Sequence, residues 1–262
     1  VFVAEEEFLN GIYSKLAKHM ILKRRALLGF DAKDDKHISI LNRLISIGER
    51  DGVKYVSYEP DPRHVDLLIQ STGLESNSSK KRVATPGAKG ECGQYANPTE
   101  LGKEFGTKYR SATMRLAYLA QDSPHLQYCV HKIAKHMSKP TEGGWTRLKR
   151  TVRFLKGNSR WVQYFEMQEP CTTLRVYTDS DWAQDPNDRK SVSSAFCMIG
   201  NHLIKSSVSG QAVQALSSGE AEFVAMTRGS SIGLGIRSMA ADFGDKLNIE
   251  VHTDSIAAKG IG

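Results

Sequence analysis

The chain has 262 residues, 40% of them hydrophobic, with 36 Lys+Arg against 29 Asp+Glu and a formal net charge of +7. That composition excludes disorder as its general state and suits one large or two modest domains. Four widely spaced cysteines, Cys92, Cys129, Cys171 and Cys197, exclude a disulfide framework and a zinc knuckle and point to a reducing, intracellular setting. No apolar run approaches the roughly 20 residues of a membrane span, and the opening "VFVAEEEFLNG" lacks the basic-then-apolar order of a signal peptide, so no membrane partner is expected.

The charge is uneven along the chain. Residues 1–170 hold 28 Lys+Arg and 19 Asp+Glu, whereas residues 171–262 hold 8 and 10. A basic front half suits a polyanionic partner, because Lys and Arg on phosphates release counterions and give sequence-independent affinity; solvated helix faces are the alternative reading.

In chain order, Phe8, Ile12, Leu16 and Met20 predict a helix within residues 1–28 that ends near Gly29. "DDKHISILNRLISIG" is read as a second helix with Asp34 and Asp35 as its N-terminal cap. "VKYVSYEPDPRHVDLLIQSTGL" predicts a strand, a Pro-bearing turn and a helix closed by Gly73. Residues 75–104 lack hydrophobic periodicity and read as an exposed linker, in which "SKKR" at 79–82 is too short to specify nuclear entry.

Helical periodicity returns at "TKYRSATMRLAYLAQ". "DSPHLQYCVHKIAKHM" restarts a helix with Asp122 or Ser123 as cap and Pro124 in its first turn, burying Leu126, Val130, Ile133 and Met137. His125, Cys129, His131 and His136 on it lack a second ligand cluster and are assigned structural roles. In "TEGGWTRLKRTVRFLKG" the stripe Trp145, Leu148, Val152, Leu155 faces a core, and Arg147, Lys149, Arg150, Arg153 and Lys156 cover the remaining surface as a candidate phosphate-tracking face.

After Pro170 the period falls to two. "LRVYTD", "SVSSAFCMIG", "HLIKSS" and "QAVQALSS" predict four short strands, "GEAEFVAMTRGSSIGLGIRSMAADFG" a long helix capped by "SSGE", and "LNIEVHTDS" a further strand running into a helix. Gly229, Gly233 and Gly235 each cost that helix about 1 kcal/mol relative to Ala unless they permit close packing. Trp182 is expected as a core aromatic beside the first of these strands.

Three separated elements each deliver a carboxylate: Asp179 at a strand exit, Glu220 or Glu222 in the first turn of the long helix, and Asp254 at a later strand end. Converging carboxylates need cations, and hard oxygen ligands select Mg²⁺ or Mn²⁺. Two such ions can activate water and stabilise the leaving oxygen in phosphodiester hydrolysis. Residues two apart on a helix point about 200° apart, so one of the two glutamates faces the metals. Asp181 shares the face of Asp179 and either assists the metals or closes a turn; Asp185 and Asp188 read as turn residues.

"YTDSDWAQDPNDRKSVSSAFCMIG", "QALSSGEAEFVAM" and "VHTDSIAA" resemble, in that order, the ribonuclease H motifs of retroelement Pol polyproteins, most closely the Ty1/copia type. "YEPDPRHVDLLIQSTGL", "VATPG" and the stretch from "YRSATM" to "FLKG" are similar to the segments that follow the polymerase palm in copia-type reverse transcriptases. The resemblance implies an α/β fold of the α+β kind: a helical, basic N-terminal region followed by a mixed sheet with helices. It divides the chain into a palm-end or thumb-like segment at 1–74, the linker at 75–104, a helical connection at 105–170 and a ribonuclease H-like domain at 171–262.

By position it makes Asp179 the first catalytic acid, Glu222 the helix glutamate, from the "EFVA" setting, and Asp254 the third acid. It further implies hydrolysis of the RNA strand of an RNA/DNA hybrid with two Mg²⁺ or Mn²⁺ ions, the rest of the polyprotein as partner, and a cytoplasmic particle or nuclear location. The family's fourth acid and nearby His lie past the final helix and have no counterpart up to Gly262, so a C-terminally truncated domain with a weakened core is expected. The sole Asp-Asp pair, Asp34-Asp35, lacks the hydrophobic hairpin setting of a polymerase site, so polymerisation is not expected. The alternatives are an inactive nucleic-acid-binding remnant and, more weakly, an integrase with a related acid triad.

Overall fold

The computed structural model describes residues 6–23, 25–75, 83–87, 95–185 and 188–261, and these form two four-stranded sheets, a cluster of helices with its own core, and a long helix packed on the second sheet. The stretch "SKKR" at 79–82 lies outside the described residues. No described helix is long and apolar enough to cross a membrane.

The first sheet is an antiparallel meander of β1 (His37–Ile40), β2 (Arg43–Arg50) and β3 (Val53–Glu59), joined on its far side by β4 (Gln163–Glu166). Residues 37–50 are therefore a hairpin, and the helix expected over 34–48 is corrected. Apolar residues at 38, 40, 45 and 47 alternate, and the turn falls on Leu41 and Asn42, both in the left-handed region at φ 51° and 63°. Asn tolerates that region and two successive positive-φ residues form the tight turn that matches strand twist. Asp34 and Asp35 cap no helix: Asp35 accepts from Leu27 N at 3.0 Å and Asp34 from Asp31 N at 3.2 Å.

The first helix, α1 (Glu6–Leu16), is shorter than the 1–28 reading. Leu27 and Leu28 instead pair their backbone with Asp35.

Four helices share one core: α2 (Arg63–Ser71), α3 (Lys103–Asp122), α4 (Pro124–Ala134) and α5 (Glu142–Gly157). Leu68, Leu116, Leu126, Ile133, Leu148 and Val152 lie fully inside it, each contributing about 1.5–3 kcal/mol by removal from water. Tyr109 joins them because its hydroxyl finds Ile133 O at 2.6 Å, which relieves the cost of burying it. The segments read as separate thumb-like and connection regions thus enclose a common core, and β4 ties residues beyond α5 back to β3.

At the α3–α4 junction Pro124 occupies the first turn as expected, but neither Asp122 nor Ser123 caps by its side chain. The Asp122 carboxylate instead takes Tyr58 Oη at 2.7 Å and Arg43 Nε at 2.8 Å, fastening the first sheet to α3.

The second sheet has the order β7-β6-β5-β8, with β5 (Thr173–Asp181), β6 (Val192–Ile199) and β7 (His202–Gly210) antiparallel and β8 (Asn248–His252) parallel to β5. This mixed topology is compatible with the expected ribonuclease H-like fold. The long helix α6 (Ser218–Asp242) crosses β5, β6 and β8, and α7 (Ile256–Ile261) packs on α6. "QAVQALSS" forms no strand: β7 ends at Gly210, and the Gln211 side chain turns inward to donate to Ser193 Oγ and Ala221 O.

Leu174, Val176 and Cys197 are wholly buried under α6. The helix approaches so closely because Gly229 and Gly233 present no Cβ; one at 233 would stand 3.0 Å from Val176 Cγ2. These two glycines serve close packing, while Gly235 faces open space and carries the propensity cost alone.

Candidate metal centre

The start of α6 decides which glutamate faces inward. Ser217 caps the helix, its Oγ accepting from Glu220 N at 3.1 Å, and Glu220 Oε2 reaches back to accept from Leu216 N at 2.7 Å. This reciprocal capping satisfies two amide donors and holds Glu220 at the helix end. Glu222, 200° further round, is buried against β5.

Asp179 and Asp254 meet because β5 and β8 run parallel. Tyr177 is in register with His252, so two residues further along each chain both acids emerge at the same end of the sheet. Oxygens of Asp179, Glu222 and Asp254 all lie within 4.8 Å of one another, the one such acid, His or Cys cluster among the described residues.

Within the cluster Asp179 and Asp254 are exposed and Glu222 is 9% exposed. Glu222 Oε1 accepts from Ser180 N at 3.1 Å and from Ser180 Oγ at 2.9 Å, whereas Glu222 Oε2 is buried with no hydrogen-bond partner. Burial pushes the Glu222 carboxyl above its ordinary range, the Ser180 donors pull it down, and the neighbouring Asp179 and Asp254 charges push it up again. Three hard oxygen donors from three elements, one carrying an unsatisfied buried oxygen, match the donor set of Mg²⁺ or Mn²⁺.

The other acids of the "YTDSDWAQDPNDRKS" stretch serve a different purpose. Asp181 does not join the cluster: its Oδ1 accepts from Val192 N, and its Oδ2 takes Tyr128 Oη at 2.8 Å with Lys132 Nζ at 3.7 Å. Asp185 and Asp188 are more than turn residues, for Lys135 Nζ lies 2.7 Å from Asp185 and 3.5 Å from Asp188. Tyr128 and Lys132 project from α4 and Lys135 from its C-cap, so this acidic loop joins the helical body to the second sheet. Trp182 is not in a core; it is 46% exposed and its indole donates to Ala215 O at 3.1 Å. The sequence carries no local sign of these α4 contacts, which span about fifty residues.

The five cations expected as a face of α5 lie in different surroundings. Arg147 is 9% exposed with its guanidinium 5.6 Å from the Tyr95 ring. Arg150 donates to Gly87 O and Thr85 Oγ1, and Lys156 to Leu74 O at 2.6 Å. These long side chains reach over neighbouring chain segments, whose backbone carbonyls compete with phosphate for them. Lys149, 5.5 Å over Trp145, and Arg153 remain half-buried on the helix. The described parts of the 75–104 linker are likewise docked, Asn97 O and Thr99 O accepting from the first amides of α5.

No family model matches the chain, and no solved structure does. The chain is 31% identical over 196 residues, 74% of its own length, to the retrovirus-related Pol polyprotein from transposon RE2 of Arabidopsis thaliana, and equally to that from transposon RE1. A third relative, the Pol polyprotein from transposon TNT 1-94 of Nicotiana tabacum, is 29% identical over 49% of the chain. The matches span 13% of the length of the first two relatives and 10% of the third.

Proposed function

Because this chain belongs to the Pol polyproteins of copia-type retrotransposons, as a segment matching a small part of their length, we propose that its second sheet is a ribonuclease H domain that hydrolyses the RNA strand of an RNA/DNA hybrid. The observation that carries this reading is the convergence of Asp179, Glu222 and Asp254 within 4.8 Å. Residues 171–262 would form the hydrolytic domain and residues 1–170 the body that holds the hybrid.

Asp179, Glu222 and Asp254 would hold two Mg²⁺ or Mn²⁺ ions, which supply a water nucleophile at neutral pH and neutralise charge on the leaving oxygen. The chain's own residues divide the remaining work. Glu222, packed under β5 and pinned through Oε1, keeps its free oxygen at a fixed place and spends no ordering entropy when the site fills. Asp179 and Asp254 sit on the exposed side, where a hybrid backbone can approach from solvent. The Asp181 and Asp185 contacts with α4 hold the end of β5 and the loop beyond it. A basic body gives the polyanion affinity without sequence preference.

The test is cleavage of a hybrid labelled in its RNA strand by the purified chain with Mg²⁺ or Mn²⁺, beside Asp179→Asn and an EDTA control. Metal-dependent RNA cleavage that disappears in the variant is expected. A folded chain that binds the hybrid and leaves it intact would replace this reading with that of a nucleic-acid-binding module.

A further inference from the structure

Ser180 lies between the two aspartates of "DSD" and touches the metal cluster without belonging to it. Both of its donors, the backbone N–H at 3.1 Å and the hydroxyl at 2.9 Å, converge on the same atom, Glu222 Oε1. Glu222 Oε2 has no partner and is shut off from solvent. The two oxygens of one carboxylate are thus in opposite states.

We propose that Ser180 is a positioning residue that fixes Glu222 so that its Oε2 alone is presented to a divalent cation. The inference rests on the proposed metal site. A carboxylate free to rotate about its last torsion exchanges its two oxygens or chelates through both; a double donor on Oε1 removes that freedom. Hydrogen bonds to a charged acceptor are about twice as strong as neutral ones, and the strand geometry of β5 delivers both from a single residue. The hydroxyl matters beside the amide because it approaches from the side chain, giving the carboxylate two fixed directions instead of one. Gly229 and Gly233 contribute by lowering α6 onto β5, bringing the helix carboxylate within reach of a short serine.

Outer partners that orient metal-binding carboxylates typically change metal affinity by roughly 10- to 100-fold when removed. Because the Ser180 amide persists in a Ser180→Ala chain, a loss near the lower end, about 10-fold, is expected. The measurement is Mn²⁺ binding by the full chain, followed by electron paramagnetic resonance without nucleic acid, with hybrid cleavage recorded in parallel. Ser180→Thr, which keeps the hydroxyl and suits a strand, should bind Mn²⁺ within about threefold of the unaltered chain. Asp179→Asn serves as the reference for a lost ligand.

If Ser180→Ala binds Mn²⁺ as the unaltered chain does while Asp179→Asn does not, the positioning role is overturned and the metal site stands. Ser180→Thr binding as weakly as Ser180→Ala overturns the role of the hydroxyl. Absence of Mn²⁺ binding by the unaltered chain overturns both the site and Ser180's part in it. Graded Mn²⁺ binding across the serine variants without hybrid cleavage supports the positioning role and removes only the hydrolytic reading.

Discussion

Gly229 of α6 lies over Thr178 of β5 so closely that a Cβ at position 229 would stand 2.3 Å from Thr178 Cγ2. The contact is one residue from Asp179, so the spacing between helix and strand also sets how Glu222 meets the aspartates. Gly229→Ala gains about 1 kcal/mol of helix propensity but must push the helix off the strand, an overpacking cost of about 1–3 kcal/mol. The expected outcome is a net loss of stability in urea denaturation together with weaker divalent-cation binding. Gly235→Ala, at an open position, should stabilise the chain.

Lys135 joins α4 to the loop after β5 through a partly buried pair with Asp185. Lys135→Met removes a charge-assisted hydrogen bond of about 1.5–3 kcal/mol, and a double-mutant cycle with Asp185→Asn should return a favourable coupling of that order. Raising salt should change this coupling little, since the pair is sheltered from counterions.

Glu222 gives the metal-free chain a defined pH dependence. Its carboxyl is pushed upward in the fold, chiefly by burial, so the folded chain binds this proton more tightly than the unfolded one. Stability from this residue is therefore greatest below the ordinary glutamate range and falls as pH rises from there through the raised folded value. Denaturation in EDTA across that window should show the decline, Glu222→Gln should flatten it, and Mg²⁺ should oppose it by binding the ionised form.

The α5 cations divide into two groups with different outcomes. Arg150→Ala and Lys156→Ala remove bonds to the backbone carbonyls of Gly87 and Leu74 and should lower stability by about 1 kcal/mol each. Lys149→Ala and Arg153→Ala should leave stability nearly unchanged, and wherever either side chain meets a phosphate the slope of log affinity for hybrid against log salt falls by about 0.9. Thermal melts and fluorescence binding at several salt concentrations separate the two groups.

The acid centre was legible because each of its parts has a local signature. Alternation marks β5 and β8, "SSGE" marks the start of α6, and the 200° separation of Glu220 and Glu222 assigns one to the cap and the other to the sheet. The hairpin at 37–50 was not, because Ile38, Leu41 and Ile45 also fit a helical stripe and the turn at Leu41-Asn42 contains no glycine. Nor were the roles of Lys135, Arg150 and Lys156, whose partners lie 50 or more residues away and are chosen by tertiary packing. A sequence shows that a cation is present; only the fold says whether a carbonyl has already claimed it.

The parallel pairing of β5 with β8 has a temporal meaning as well. Asp179 and Asp254 are separated by an antiparallel excursion through β6 and β7 and then by the whole of α6. Antiparallel hairpins close early because their loops are short, whereas the parallel contact needs the intervening chain to be folded and docked first. This topology predicts that the three acids come together last, once residue 254 is free to reach β5. Cation binding at the proposed centre, followed during refolding, would then report that the second sheet is complete.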